Sequence, residues 1–151
     1  MRIGPGPSPV CNCLAVRQAA RHVTQFYDRL LAPSGLRTTQ YSILARLRRQ
    51  DPMTINALAV EMVMDRTTLS RNLLPLERDG LVRIEQGARD QRSKLIQITQ
   101  RGERRLEDAS KRWAEAQARF ESAFGSRRTT ELRSMLRAVT VTEFAGANVA
   151  T

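Results

Sequence analysis

With 151 residues and a formal net charge of +10, the chain has the length of one domain with a real core, and the charge of a protein that meets a polyanion, an acidic surface or only water. Its 25 basic residues face 15 acidic ones and are nearly all arginines, Lys94 and Lys111 being the only lysines, which suits bidentate contacts to phosphates and base edges. No run reaches the roughly 20 apolar residues that cross a bilayer, no secretory leader opens the chain, and the two cysteines are too few for an extracellular disulfide framework, so a cytoplasmic protein with no membrane contact is expected.

Residues 1–10 begin MRIGPGPSP and read as a disordered tail, leaving 11–151 as a single domain. From about Cys13 to Ala32 the positions Val16, Ala19, Ala20, Val23, Tyr27, Leu30 and Leu31 recur at the helical period, and Pro33-Ser34-Gly35 ends that helix. His22 reads as a surface or interface position on it, and Asp28 and Arg29 as solvated or salt-bridged ones. Thr38 is the expected cap of a second helix with Tyr41, Leu44 and Leu47 inward, stopped by Asp51-Pro52.

Thr54 then caps a short helix to about Val63, with Met53 placed to pack on Leu58, and Asp65 repeats the device with Met64 facing Leu69. In the helix begun by Asp65, Leu69, Leu73 and Leu76 share one face while Arg66, Thr67, Ser70, Arg71 and Asn72 cover much of the rest. Pro75 lacks the N–H that would bond the Arg71 carbonyl, so a bent or weakened last turn is expected before Gly80 stops the helix. Leu81–Glu85 and Leu95–Ile98 alternate as an antiparallel hairpin, and the polar loop Gln86–Ser93 carries Arg89, Asp90 and Arg92 at its projecting end.

Thr99 caps a long helix whose stripe is Leu106, Ala109, Trp113, Ala116, Phe120 and Phe124, and after Gly125-Ser126 a last helix carries Leu132, Met135, Leu136, Val139 and Phe144. These outer helices hold more apolar surface than a small monomer covers, which implies a homodimer built from the first and last helices. The fold class is mainly α with a small β-hairpin: a winged helix-turn-helix core over 34–99 with N- and C-terminal dimerisation helices at 11–33 and 100–148.

A polar-faced helix followed by a basic hairpin touches a duplex in two places. The helix face enters the major groove, where base-pair edges differ; Arg66, Arg71 and Asn72 can make bidentate base contacts, and the hydroxyls of Thr67, Thr68 and Ser70 suit phosphates or caps. Arg92 is placed at the wing tip for the minor groove, and Arg89 and Lys94 for phosphates. Asp90 would repel phosphate, so it is assigned to pairing with an arginine and shaping the loop.

The chain resembles the MarR family of bacterial transcriptional regulators from about Cys13 to Phe144. The resemblance is carried by Gly35-Leu36-Arg37-Thr38-Thr39-Gln40-Tyr41, Leu58-Ala59, Thr68-Leu69-Ser70-Arg71, Leu76-Glu77-Arg78-Asp79-Gly80-Leu81-Val82, Asp90-Gln91-Arg92-Ser93-Lys94-Leu95 and Thr99-Gln100-Arg101-Gly102. It implies a triangular homodimer on double-stranded DNA, each winged unit addressing half of a pseudo-palindromic operator, commonly as a repressor released by a small aromatic ligand bound between the dimer helices and the DNA-binding lobe. Asp90 and Arg92 match the family's wing pair, Thr68 and Arg71 match operator-facing positions, and Pro75 departs from the common pattern. No cofactor and no metal site is implied.

Some family members sense organic hydroperoxides through a cysteine near the start of the first helix, and Cys13-Leu14-Ala15-Val16 resembles that site. The following aromatic position is Arg17 here, and the tyrosine of the pattern just before Gln40-Tyr41 is absent, although Tyr27 can approach from one helical face. A helix N-terminus favours the anionic thiol that peroxide attacks. Three readings of Cys11 and Cys13 therefore stand together: helix packing, a redox switch, or soft-metal ligands. A thiol peroxidase using the pair is opposed by the absence of a neighbouring histidine and of an acid–base motif. A non-specific architectural DNA protein is favoured only by net charge.

Overall fold

The computed structural model describes residues 11–50, 52–87 and 93–145, so the expected tail at 1–10, the wing-tip residues Arg89, Asp90 and Arg92, and the last positions of the proposed 100–148 segment lie outside the described residues. The elements are α1 (Asn12–Leu31), α2 (Thr38–Arg49), β1 (Met53–Thr54), α3 (Ile55–Met62), α4 (Arg66–Arg78), β2 (Val82–Gln86), β3 (Lys94–Ile98), α5 (Gln100–Phe124) and α6 (Ser126–Val141), with a 3-10 turn at Ala32–Ser34. No helix among the described residues is long and apolar enough to cross a membrane.

The core lies where α2, α3, α4 and the sheet meet the first half of α5. Leu31, Ile43, Leu44, Leu47, Leu58, Leu69, Leu76, Leu81, Ile96 and Leu106 are fully buried in it. The three leucines expected on the inner face of α4 are all buried, and Pro75 sits within a helix that continues to Arg78, with the Pro75 carbonyl accepting from the Asp79 N–H at 3.0 Å.

Three details differ from the sequence-based expectation. The two-stranded hairpin is a three-stranded antiparallel sheet in the order β1-β3-β2, with Met53 opposite Ile96 and Ile84 opposite Ile96 on the other side. A strand of two residues is too short to show alternation, so only the tertiary partner reveals it. Thr38 is not the cap of α2: its N–H and its hydroxyl both donate to the Asp28 carboxylate at 2.7 Å, so α1 supplies the cap, and Asp28, expected to be solvated or salt-bridged, serves instead as a hydrogen-bond acceptor between the two helices. A carboxylate ten residues upstream leaves no local capping signature. Phe144 lies beyond the end of α6 at Val141 and is exposed, not part of the last helix.

The turn between α3 and α4 is closed by the Met64 N–H bonding the Ala59 carbonyl at 2.9 Å, and it holds Val63 at φ +52°, a left-handed conformation that is costly for a β-branched residue. On the other flank α5 runs 25 residues against α1 and α2. Tyr41 stacks on Trp113 with ring centroids 5.8 Å apart, and the Tyr27 hydroxyl donates to the Gln117 side chain. Burial, with the Glu121 carboxylate adding to it, pushes the Tyr27 phenol above its usual range, so it acts as a neutral donor. In α6 only Thr129 is buried.

Candidate nucleic-acid interface

The N-terminus of α4 is built by Asp65. Its carboxylate accepts from the Thr68 N–H at 2.8 Å and from the Thr68 hydroxyl at 2.7 Å, closing the first turn with an anion at the positive end of the helix dipole. The Thr68 bonds hold the Asp65 carboxyl below its ordinary value, so the cap is ionised at neutral pH. Because Leu69, Leu73 and Leu76 fill the inner face, the remaining positions must point away from the core, and Arg66, Thr67, Thr68, Ser70 and Arg71 are exposed while Asn72 is half-buried.

These six side chains are not equally free. The Thr68 hydroxyl is engaged by Asp65, and the Asn72 amide donates to the Thr68 carbonyl at 2.9 Å. The Thr68 hydroxyl must give up its bond to Asp65 to donate to a phosphate, whereas Asn72 keeps its second N–H and its amide oxygen. Arg66 and Arg71, in contrast, carry no ion pair among the described residues.

Beside α4 stands the hairpin. Its last described rung pairs Gln86 with Lys94, and the Gly87 N–H bonds the Ser93 carbonyl at 2.7 Å, so the strands stay together up to the base of the loop. On its outer face Arg83 is held twice, by Glu85 at 2.8 Å and by the Gln97 side chain at 2.9 Å, and is a structural arginine. Lys94 is exposed. A cleft of about 390 Å³ runs between α4 and the hairpin and is lined by Ser70, Leu74, Glu77, Ile84 and Lys94, which brings two of the sequence-selected residues, Ser70 and Lys94, to one groove.

Cys11 and Cys13 sit at the far end of α1, both exposed and free. The Cys11 thiol is the N-cap of α1, its sulfur accepting from the Leu14 N–H at 3.4 Å, a local role that the helix-start pattern did not disclose. Among the described residues no group of three or more His, Cys, Asp and Glu side chains comes together as a metal site.

Residues 36–94, from two residues before α2 to the first residue of β3, match the model of the MarR family. The crystal structure of the M. tuberculosis transcriptional regulator MosR in complex with DNA is 40% identical, with a TM-score of 0.74 over 85% of this chain and 96% of that one. The chain belongs to the MarR family. It is therefore a DNA-binding transcriptional regulator of the winged helix-turn-helix type and not an enzyme. Among curated relatives, the uncharacterised HTH-type regulator YwoH of Bacillus subtilis is 32% identical over 62% of this chain and 67% of its own length. The organic hydroperoxide resistance transcriptional regulator of B. subtilis is 28% identical over 60% of this chain and 61% of its own length. The chain thus spans about two thirds of these curated relatives, and the matched MarR-family portion is centred on the lobe that carries α4 and the sheet.

Proposed function

We propose that the protein is a sequence-specific repressor that acts in the cytoplasm as a homodimer, setting one α4 into each half of a pseudo-palindromic operator. The lobe over 34–99 binds DNA, and 11–33 with 100–148 join the two copies. The observation that carries the reading is the division of α4: three buried leucines anchor one face, and the exposed face begins at an ionised cap and holds two arginines without an ion pair among the described residues. Arg66, Arg71 and Asn72 read base edges in this arrangement, Thr67, Thr68, Ser70, Arg89 and Lys94 hold phosphates, and Arg92 enters the minor groove beside a loop shaped by Asp90.

The test compares operator with random duplex across a salt series. Arg71→Ala narrows the gap between the two affinities, because a bidentate base contact is worth about 1–3 kcal/mol of discrimination. Arg92→Ala lowers both affinities and makes the salt slope shallower. Equal losses on both duplexes for Arg71→Ala reject base reading by that side chain.

Two release signals fit separate parts of the molecule. Exposure of both thiols where α1 begins supports thiol oxidation as one, because the sulfurs are open to peroxide on a helix proposed to join the two copies. Peroxide is then expected to release operator DNA, and Cys13→Ser to abolish that response; unchanged affinity after full oxidation rejects it. The stacked Tyr41 and Trp113, near the Tyr27 donor, support the other, a small aromatic ligand between α1, α2 and α5.

A further inference from the structure

The C-terminus of the recognition helix and the N-terminus of α5 are joined by one side chain. Gly80, at φ +71°, turns the chain out of α4, with its N–H bonded to the Glu77 carbonyl at 2.9 Å and the Leu81 N–H to the Leu76 carbonyl at 2.8 Å. The next two carbonyls are then both taken by Thr99. Its backbone N–H donates to Leu81 at 3.0 Å, and its hydroxyl donates to Gly80 at 2.6 Å while accepting from the Gly102 N–H at 3.0 Å.

A helix cap needs only an acceptor, so the proton of the Thr99 hydroxyl is available for a second purpose. Here it ties the end of α4 to the start of α5, between residues nineteen positions apart in the chain. Gly102 brings the two backbones together: a Cβ on it would stand 2.1 Å from the Leu81 carbonyl oxygen, a backbone atom that cannot swing aside. Further along, α5 is pinned to the rest of the protein by Trp113 on Tyr41 and Gln117 on Tyr27. The recognition helix and α5 therefore meet through a rigid, hydrogen-bonded backbone contact.

We propose that Thr99 and Gly102 are positioning residues for DNA reading: their clasp sets the attitude of α4 relative to α5, and hence the separation of the two recognition helices across an operator. This rests on the two-half-site reading above. The clasp acts through α4 and touches no DNA itself.

The experiment uses the full chain on its footprinted operator and on versions with the half-sites moved one base pair apart or together. Thr99→Asp keeps a good cap but has no proton to give Gly80, whereas Thr99→Ser keeps both functions. Wild type and Thr99→Ser are expected to lose about tenfold or more in affinity when the spacing changes, and Thr99→Asp to bind the native spacing more weakly with a spacing penalty under about threefold. Melting curves and dimer mass are taken alongside, with Thr99→Val as a second variant that keeps the side-chain shape.

A spacing penalty in Thr99→Asp equal to that of the wild type overturns the proposal. So does failure of both Thr99→Asp and Thr99→Val to fold, since the clasp would then serve stability alone. A wild type indifferent to spacing instead overturns the two-half-site reading, and the clasp falls with it.

Discussion

The DNA-binding lobe and the outer helices treat their apolar residues in opposite ways. Between α2 and the start of α5 most leucines and isoleucines are buried, from Leu44 and Leu58 to Leu73, Ile96 and Leu106, while Ile84, Leu95 and Ile98 are half-buried and Leu74 is exposed. Along α6 the reverse holds, with Met135 61% exposed, Leu136 44% and Val139 49%, and the first turns of α1 show Leu14 and Val16 in the same condition. The lobe has finished its core within one chain. The outer helices have apolar faces sized for a partner, and a second copy of the same helices is the partner we propose.

Breaking the closed half should have the largest effect. Leu73→Ala removes a fully buried side chain from between α4 and the sheet and is expected to cost about 2–5 kcal/mol in chemical denaturation, with loss of operator binding at physiological temperature. Breaking the open half should leave the lobe folded. Leu136→Glu is expected to give a monomer by sedimentation and to remove the dependence of melting temperature on protein concentration that a dimer shows; a variant that stays dimeric puts the interface elsewhere.

Smaller changes sharpen the contrast within the lobe. Val63→Gly relieves the one left-handed non-glycine residue among the described residues, and after the entropy cost of glycine it should raise stability by about 0.5–1 kcal/mol. The smallest effect concerns Asp65. Its folded-state pKa lies below the ordinary 3.8 because Thr68 bonds the ionised form, so its contribution is present above that value and is lost as pH falls through the lowered one. Wild type is therefore expected to show a steeper acid limb below about pH 4 than Asp65→Asn, read from thermal melts at successive pH.

Local signals were enough for most of the lobe. Asp65 and Thr99 each cap the helix that the pattern places after them, the leucines of α4 are buried as a stripe, and Gly125 ends α5 where expected. What the pattern could not supply were bonds between residues far apart in the chain: Asp28 reaching Thr38, Met53 pairing with Ile96, the Thr99 hydroxyl finding Gly80. The exposed polar face of α4 was also legible, but the internal bonds of Thr68 and Asn72 were not, because both depend on rotamers chosen within the folded helix.

The amino-acid order by itself determined which segments become helices, where they start and stop, and which of their faces are apolar, since caps, glycines and a 3.6-residue period act over one or two turns. Only the tertiary structure decided which of those faces are covered within one chain and how the end of the recognition helix is held. Those outcomes depend on the approach of segments tens of residues apart, and a backbone contact as close as Gly102 against Leu81 exists only once the sheet and α5 have closed on each other.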